Sequence, residues 1–555
     1  MLRAPSLALV LAASSCCPST QTPPPLKPPL PAAAAVPSSD AAADTSAPVA
    51  RMTLVVVYDQ LAAWVLAEYL DHLDPEGLVR QVMARGVYAE RSAYPYASTN
   101  TAPGHAHIFT GATPAESGIY ANEVVHPQRG EIDIVDGGEH PIWGLKNKFA
   151  SPTMLRVPTV GDALQLQRGE AAQVVAVSLK DRASVLPGGK KADLVMWYES
   201  KLPGFTSSSF YGPVPPWATS WLAAHPLERL LTAWTPVDEK KLQTLIGPDE
   251  GPDEGDYEGF GTVFPHDPKA TADPYGVLRL TPQLSGYLVD LAAEASRQMK
   301  LGTDDRPDLL SVSISGTDYA GHTFGPNSWE FFDHLYRVDR RLGAFYARLR
   351  EGGDVAVLIT SDHGVHPVPA RSGKPRVFPA AVVEAARKAA AGVLGPGAWV
   401  ADYSKPLIYF SDALMAHPKR KVATAAMLDA VTRIEGIAAV YDVNEALSWR
   451  EDPDPTRRLI GQSVVENERG ELYVLVEEGA IVDENMPKGS GTTHGTPYER
   501  DREVPVLFAG PGVSRRRITD RVSQAQVAPT IAALLGIEPP RGATAAPLPG
   551  SPLRP

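Results

Sequence analysis

Residues 53–59 read Thr-Leu-Val-Val-Val-Tyr-Asp, and this stretch decides the fold. Its six residues before the aspartate are apolar or β-branched and show no polar alternation, which is typical of a strand buried on both faces of a parallel sheet. Similar runs recur at 174–178, 309–314, 355–360 and 504–508. These runs predict the strands of one central sheet.

Helical patterns separate the runs. The clearest follows Trp329, where apolar residues step by three and four at positions 335, 338, 342, 345 and 349. Strands that alternate with helices predict an α/β fold with a doubly wound, mostly parallel sheet and helices on both faces.

Two stretches interrupt this alternation. Residues 187–305 are rich in Pro, Gly and aromatic side chains and are predicted to form an irregular cap over the core. Residues 371–486 contain short apolar runs and a helical pattern and are predicted to form a small α/β insertion. The catalytic core is then expected in three parts, residues 51–186, 306–370 and 487–545, followed by a disordered tail over residues 546–555.

The first 50 residues predict export. Arg3 precedes a short apolar run at 7–13, and small residues lead up to Cys16, a pattern typical of a signal peptide over 1–17 with features of a lipoprotein signal. Residues 18–50 are rich in Pro, Ala and Ser and are predicted to be a disordered tether. We therefore expect a periplasmic, secreted or outer-membrane protein, in the last case tethered through a lipidated Cys16.

Composition argues against several classes of protein. The 555 residues include 64 acidic and 52 basic side chains, and the resulting formal charge of −12 argues against a nucleic-acid-binding surface. The two cysteines, Cys16 and Cys17, both lie in the N-terminal segment. We therefore expect no internal disulfide and no thiolate metal site in the folded part.

Carboxylates and imidazoles adjoin the ends of four apolar runs. In open α/β sheets, ligands bind beyond the carboxyl ends of the strands. Asp and His together are a ligand set suited to zinc. Each residue alone has an ordinary alternative, such as a turn former, a helix cap or a solvated loop. Their coincidence predicts a metal site at one sheet edge, built from Asp59, Asp318, His322, Asp362, His363 and His494.

Hydroxyl side chains cluster in Ser98-Thr99-Asn100-Thr101. A hydroxyl becomes a nucleophile at neutral pH only when a base or a metal activates it. No Ser-His-Asp order and no Gly-x-Ser-x-Gly elbow is evident, so a metal would have to do this. Spacing alone leaves Ser98, Thr99 and Thr101 open, and an ordinary polar turn is the alternative.

Two cations follow the run at 174–178. Lys180 and Arg182 are two residues apart, so in an extended chain they point to the same side. Such a pair suits a doubly charged phosphoryl group, because arginine adds a bidentate contact. The alternative is a solvated basic turn with Asp181 as the local partner.

In combination these motifs resemble the PafA-type alkaline phosphatases, which lie near the nucleotide pyrophosphatase/phosphodiesterase branch of the alkaline phosphatase superfamily. The resemblance extends from Met52 to about Pro540 and is strongest in Asn100-Thr101-Ala102-Pro103-Gly104-His105. It implies a monomeric enzyme that hydrolyses small phosphate monoesters with two zinc ions. One zinc would be held by Asp318, His322 and His494, and the other by Asp59, Asp362, His363 and Thr101.

The resemblance also implies roles in catalysis. Thr101 would attack phosphorus and form a phospho-threonine intermediate, and Asn122 would contact a phosphoryl oxygen. Lys180 and Arg182 match the pair that marks monoesterases in this family. Two positions depart from the family pattern, since Tyr58 replaces a small aliphatic residue and Asn100 replaces an aromatic residue or Thr.

Three rival functions share parts of the pattern. A phosphodiesterase would use the same ligands and nucleophile, but its substrate has one charge fewer and would be better served by an apolar wall than by Lys180 and Arg182. A sulfatase would need Cys or Ser in a Cys/Ser-x-Pro-x-Arg context, which the segment around Thr101 lacks. A non-catalytic metal- or phosphate-binding surface protein is the rival from another class.

Overall fold

The computed structural model describes residues 49–126, 128–483 and 489–552. The predicted signal peptide, both cysteines and residues 18–48 of the predicted tether lie outside the described residues. Within the described part, none of the helices is both long and apolar enough to cross a membrane.

The strands run, in chain order, β1 (Met52–Tyr58), β2 (Val87–Ala93), β3 (Glu123–His126), β4 (Gly130–Asp133), β5 (Val174–Ser178), β6 (Leu194–Glu199), β7 (Gly204–Thr206), β8 (Asp308–Ile314), β9 (Val355–Thr360), β10 (Arg376–Val377), β11 (Val400–Ser404), β12 (Leu407–Phe410), β13 (Ile437–Asp442), β14 (Leu472–Val476), β15 (Ile481–Val482), β16 (Glu503–Ala509), β17 (Arg516–Ile518) and β18 (Val522–Ser523). Each of the five apolar runs singled out in the sequence forms a strand.

The α-helices are α1 (Ala63–Tyr69), α2 (Leu78–Arg85), α3 (Thr101–Thr110), α4 (Pro114–Ser117), α5 (Val160–Arg168), α6 (Arg182–Gly188), α7 (Pro216–Ala224), α8 (Glu239–Leu245), α9 (Pro274–Val277), α10 (Pro282–Gln298), α11 (Gly316–Phe324), α12 (Trp329–Glu351), α13 (Pro369–Ser372), α14 (Pro379–Leu394), α15 (Asp412–Met415), α16 (Arg420–Thr432), α17 (Val443–Ala446), α18 (Pro455–Gly461), α19 (Glu499–Arg502) and α20 (Val527–Leu534). The helix predicted after Trp329 is α12.

The central sheet has the strand order β17-β2-β16-β9-β1-β8-β5-β6-β7, with β18 beside β2. Strands β9, β1, β8, β5 and β6 are mutually parallel and form its middle. Strand β16 runs antiparallel to β9. Its N-terminal end therefore lies at the same sheet edge as the carboxyl ends of the parallel strands.

Both faces of the sheet are covered by helices. Along β1, Leu54, Val56 and Tyr58 pack into one apolar cluster together with α1, α2, α10 and α12. Val55 and Val57 pack into a second cluster on the opposite face, together with α3, α5 and α20. This burial on both faces explains the continuous apolar run in the sequence, and the predicted doubly wound α/β fold is confirmed.

The predicted insertion contains an antiparallel sheet of its own. Its strand order is β11-β12-β14-β13, and helices α14 and α16 pack against it through an apolar cluster. Strands β10 and β15 form a separate parallel pair. The range 371–486 therefore does hold a small α/β unit.

The structure differs from the predicted boundaries in two places. Within the predicted cap, β6 and β7 belong to the central sheet and α10 packs on its face, so the irregular part is confined between β7 and α10. The chain end from residue 546 is not a free tail as far as residue 552. Leu548 is buried among core residues near α20, and its backbone N–H donates to Thr530 Oγ1 at 2.9 Å.

Candidate active site and metal centre

Three strands deliver the predicted metal ligands to one sheet edge. Asp59 directly follows β1, and Asp362 and His363 follow β9. Strand β8 leads into α11, where Asp318 and His322 lie four residues apart and therefore on one helix face. All of these side chains except His322 are buried, so the predicted ligands lie inside the core, where the parallel strands end.

His494 reaches the same edge by a different route. It precedes β16, and because β16 is antiparallel to β9, the start of that strand lies where the parallel strands end. The His494 and His363 rings stack with their centroids 3.5 Å apart. The antiparallel strand thus explains how a residue before a strand joins residues that follow strands.

The three histidines are oriented alike. In each, Nδ1 lies 2.8 to 3.0 Å from a backbone carbonyl oxygen, and the pairs are His322 with Thr492, His494 with Thr99, and His363 with Gly364. A carbonyl oxygen only accepts, so Nδ1 carries the proton and Nε2 keeps its lone pair. This is the tautomer and orientation found in metal-ligating histidines.

The ligand atoms form two adjoining groups. His322 Nε2 and His494 Nε2 lie 3.1 and 3.6 Å from Asp318 Oδ1. His363 Nε2 lies 3.4 Å from Asp59 Oδ1 and 3.5 Å from Asp362 Oδ2. Each of two groups has all its ligand atoms within 4.8 Å of one another, and both groups include His363: Asp318, His363 and His494, and Asp59, Asp362 and His363.

The polar atoms of this centre suit a cation. Asp59 Oδ1 and His363 Nε2 are buried, and neither has a hydrogen-bond partner among the described residues. Burial, together with the charges of Asp318 and Asp362, raises the pKa of Asp59 well above its usual value, against the effect of Lys180. A divalent cation would satisfy these lone pairs and relieve the repulsion among the carboxylates.

Thr101 is set apart from its hydroxyl neighbours by position. It is the first residue of α3, and its Oγ1 lies 3.4 Å from Lys180 Nζ. Thr99 Oγ1 instead donates to the Thr496 carbonyl at 3.0 Å, and the Ser98 side chain pairs with Tyr473. Since the helix N-terminus favours negative charge, an oxyanion at Thr101 would be stabilised there.

Lys180 joins the two ligand groups. Its Nζ lies 2.8 Å from Asp59 Oδ2 and 2.5 Å from Asp318 Oδ2, and the side chain is buried. Lys180 does not lie in an extended strand, as the sequence argument assumed, because β5 ends at Ser178 and a bend follows. Because of this bend, the Lys180 side chain reaches the ligand groups. An extended strand would not by itself have placed it there.

Arg182 begins α6 beside acidic neighbours. Its Nη1 lies 3.9 Å from Asp133 Oδ1 and 3.8 Å from Asp181 Oδ1. Asp181 Oδ1 also accepts the Arg182 backbone N–H at 2.6 Å and so caps the helix. The local pairing expected for a basic turn is therefore present for Arg182, whereas Lys180 is engaged by the ligand carboxylates.

Asn122 is fixed against the helix that carries Thr101. Its Oδ1 accepts the Ala102 backbone N–H at 2.8 Å. With Oδ1 occupied, Nδ2 is the end of the amide that can donate to a ligand oxygen. Asn122 also lines a cavity of about 550 Å³ that reaches His322, so this donor lies at the open side of the centre.

Two further residues connect the ligands, and the sequence assigned them no role. Gln60, with a left-handed φ of 69°, donates from its backbone to Asp362 Oδ1 at 3.2 Å and from Nε2 to Asp318 Oδ1 at 2.7 Å. His105 Nδ1 lies 3.3 Å from Asp362 Oδ2, and its Nε2 lies 2.8 Å from Ser313 Oγ. The signal available in the sequence was that Gln60 directly follows Asp59 and that His105 lies four residues after Thr101. No spacing rule identifies such contacts.

Tyr58, one of the departures from the family pattern, is explained by a partner on α12. Its side chain is buried, and its hydroxyl donates to Asp339 Oδ1 at 2.8 Å. A buried tyrosine hydroxyl needs such an acceptor. The larger residue before Asp59 is thus accommodated on the sheet face away from the ligands.

Comparison with known families agrees with this geometry. Residues 53–496, most of the chain, match the family described as type I phosphodiesterase/nucleotide pyrophosphatase. The chain belongs to this family. The matched range includes every predicted ligand, the hydroxyl cluster and the Lys180/Arg182 pair.

Three of the curated proteins that are similar to this chain are alkaline phosphatases. PhoV of Synechococcus elongatus is 29% identical, with 89% of this chain and 92% of that protein covered. PhoK of a Sphingomonas species is 29% identical, with 90% and 91% covered. PafA of Elizabethkingia meningoseptica is 26% identical, with 92% and 95% covered. The predicted resemblance to PafA-type alkaline phosphatases is confirmed.

A solved structure has the same fold as this chain. The crystal structure of wild-type PafA matches with a TM-score of 0.84, covering 91% of this chain and 99% of that chain at 24% identity. The predicted alkaline-phosphatase-like core is therefore confirmed.

Proposed function

We propose that this protein is a metal-dependent alkaline phosphatase that hydrolyses phosphate monoesters with Thr101 as the nucleophile. One observation carries the proposal. Thr101 Oγ1, at the N-terminus of α3, lies 3.4 Å from Lys180 Nζ, and that ammonium contacts one carboxylate from each ligand group. Nucleophile, phosphoryl-binding cation and metal ligands are thus in direct contact. The similarity to curated alkaline phosphatases supports the same activity.

The donor set favours two zinc ions. We assign Asp318, His322 and His494 to one ion, and Asp59, Asp362, His363 and Thr101 to the other. The orientation of the three Nε2 atoms and the unpartnered Asp59 Oδ1 support this assignment. Bound zinc would lower the pKa of a coordinated hydroxyl and stabilise charge on the attacking and leaving oxygens.

The residues of the chain would then act in two steps. Thr101 Oγ1 attacks phosphorus in line with the ester oxygen, the P–O bond to the alcohol breaks, and a phospho-threonine forms. Water then attacks the same phosphorus, releasing inorganic phosphate and restoring Thr101. Throughout, Asn122 Nδ2 and the cations of Lys180 and Arg182 would hold the non-bridging oxygens, so they contribute positioning and charge stabilisation.

A phosphodiesterase is the second candidate, because the family description names that activity. The charge at the site favours the monoester. A monoester dianion carries one more negative charge than a diester, and a buried ammonium beside Thr101 stabilises that additional charge. An apolar wall in this position would have favoured the diester instead.

A paired assay tests the proposal. Zinc-loaded protein is given phenyl phosphate and diphenyl phosphate, and kcat/KM is measured for both. We expect the monoester to be the better substrate, and the Lys180→Ala/Arg182→Ala double variant to lose more activity on the monoester than on the diester. A matched control is the Lys190→Ala/Lys191→Ala variant, which changes two exposed lysines in the same part of the chain.

Two outcomes would contradict the proposal. If diester turnover exceeds monoester turnover, the protein is a phosphodiesterase. If the double variant loses the same factor on both substrates, Lys180 and Arg182 do not discriminate between the two charges, and their assigned role is wrong.

We also propose that the protein is exported and acts as a monomer, on the basis of its N-terminal sequence and its family. Fractionation of cells expressing the full chain tests the first part. Lipidation would be supported if the Cys16→Ala variant is found in the soluble periplasmic fraction while the parent protein is found in the membrane fraction. Equal distribution of both between the fractions would contradict it.

A further inference from the structure

A cavity of about 550 Å³ opens beside the metal centre. The cap, helix α11 and the β3–β4 hairpin all contribute to its lining. The residues that matter here are Asn122, Glu123, Glu131, Tyr257, Arg279 and Tyr319. The cavity also reaches His322, so a substrate bound at Thr101 can extend into it.

Arg279 is held rigidly in the wall of this cavity. Its Nε donates to the Gly276 carbonyl at 2.9 Å, and its Nη2 donates to Tyr257 Oη at 3.2 Å. The guanidinium carbon lies 4.8 Å from the ring centroid of Tyr319. The side chains of Arg279 and Tyr319 are also hydrogen-bonded, and the planar group carries more donors than these contacts use.

In the part of the chain that the structure describes, aromatic side chains rather than carboxylates contact the Arg279 guanidinium. Among the described residues, no acidic oxygen lies within 4.0 Å of Arg279, and the neighbours that surround it are tyrosines. Arg337, another partly buried arginine of the protein, is by contrast paired with Asp333 at 2.7 Å. Since a cation removed from water without a partner is costly, an anionic ligand would be bound favourably here.

Arg279 and Lys180 both lie close to the ring of Tyr319. The Lys180 Nζ is 5.1 Å from the ring centroid, and the Arg279 guanidinium carbon is 4.8 Å from it. Tyr319 and His322 are three residues apart on α11, and both line the cavity. Under the proposed function, His322 belongs to the ligand group that faces the leaving oxygen. The leaving group therefore extends toward Arg279.

Two acidic residues on the hairpin side restrict where an anion can bind. Burial alone would lower the pKa of Arg182. Its acidic neighbours raise this pKa instead, and Glu123 has the largest effect among them. The negative charge of Glu123 is therefore balanced by Arg182. Glu131 adds a second negative charge to the hairpin wall. An anionic group in the cavity is therefore repelled from the hairpin and attracted to Arg279.

We infer that Arg279 is a specificity residue that binds an anionic substituent, a carboxylate or a second phosphate, on the leaving group of the substrate. The inference rests on the proposed phosphatase function and adds a substrate class to it. Arg279 takes no part in bond breaking, so its removal should affect substrates with an anionic leaving group and spare neutral ones.

The test compares phenyl phosphate with 3-carboxyphenyl phosphate, which share the scissile aryl P–O bond. We expect Arg279→Gln to lower kcat/KM for the carboxylated ester about tenfold, the value of one charge-assisted contact, and to change that for phenyl phosphate less than about twofold. Arg279→Lys should retain part of the preference, since it keeps the charge. Arg229→Gln, an exposed arginine of the cap, is the matched control and should change neither substrate.

The outcomes separate the two claims. Equal losses on both esters in Arg279→Gln, or no loss on either, would overturn the anion subsite while phenyl phosphate turnover still supports the phosphatase. Absence of phenyl phosphate turnover in the parent protein would overturn both. Should Arg279→Gln fold poorly, as judged from its melting temperature, the Arg279→Lys variant decides instead. A ratio of kcat/KM for the two esters equal to the parent's ratio would then decide against the subsite.

Discussion

Gly104 of helix α3 packs directly against the backbone of Asp362, so that a Cβ atom added at Gly104 would lie 2.1 Å from the Asp362 carbonyl oxygen. The contact sets the distance between the helix that begins with Thr101 and the strand end that carries two predicted metal ligands. It gives a physical reason for glycine in the Ala-Pro-Gly-His segment.

Gly104→Ala should therefore damage activity without removing any functional group. The helix must shift to accommodate the methyl group, and a displacement near 1 Å at a reacting group costs about 10²-fold in rate. Steady-state kinetics on an aryl phosphate measures the loss. The matched control is Gly392→Ala in α14, where an added Cβ meets no atom within 4 Å. Activity of Gly104→Ala within twofold of the parent would show that the contact does not position Thr101.

Thr101→Ala should abolish turnover, with a loss of at least about 10³-fold, because no other hydroxyl is placed to attack. Thr101→Ser should retain measurable activity, since it keeps an oxygen at the same position. Thr99→Ala is the control, because Thr99 Oγ1 is used in a hydrogen bond to the Thr496 carbonyl. Mass spectrometry of acid-quenched reactions should find phosphate on the peptide containing Thr101, and phosphate on Thr99 or Ser98 instead would refute the assignment.

Metal removal should lower both stability and activity. A ligand that binds only the folded state stabilises it by about 2.7 kcal/mol at 100 times its Kd, so zinc should raise the melting temperature of chelator-treated protein. His494→Ala and His322→Ala should each weaken this response. His417→Ala, which removes a half-buried histidine of the insertion, should leave it unchanged. A zinc response that survives in both ligand variants would argue against the assigned centre.

His107 should make stability depend on pH. Burial lowers the pKa of this histidine from 6.5 to about 4, against the opposing effect of the Ala112 carbonyl. The unfolded chain therefore binds the proton more readily, so the contribution of His107 is complete above pH 6.5 and is lost as the pH falls toward 4. The loss amounts to about 3 kcal/mol, at 1.36 kcal/mol for each pH unit.

His107→Asn isolates this effect, because an amide can still donate to the Ala112 carbonyl but does not titrate in this range. Denaturant unfolding of parent and variant at several pH values gives the difference in the free energy of unfolding. We expect that difference to change between pH 6.5 and 4 and to stay constant above. A constant difference across the whole range would show that His107 is not held neutral in the folded protein.

The central sheet and its ligands could be predicted because their signals are local. A strand buried on both faces must be apolar throughout, and polar residues at its end must lie at the sheet edge, as Asp59 and Asp362 do. Whether β16 runs parallel or antiparallel to its neighbours could not be predicted, since an apolar run of residues has the same pattern in either orientation. The cap boundary was wrong because β6 is a short apolar strand that lies shortly after a Pro- and Gly-rich stretch at 187–189, whose composition predicted irregular structure.

The contacts of Gln60, His105 and Arg279 lay beyond sequence reasoning. Each depends on a side chain meeting a residue far away in the chain, as Gln60 meets Asp318. The argument that singled out Lys180 assumed extended geometry, which does not apply to the bend where Lys180 lies. Composition and spacing identify which chemical groups are available, whereas packing decides which of them touch.

The antiparallel strand β16 also determines when the centre can assemble. Because His494 precedes that strand, the ligands extend from residue 59 to residue 494, and the last of them joins only when β16 pairs with β9 and β2. Contacts between such distant residues form late in folding, since the long intervening loop must first be closed. A chain that is still on the ribosome before β16 has been made thus lacks a complete centre, so metal binding by the proposed centre would require synthesis at least through β16.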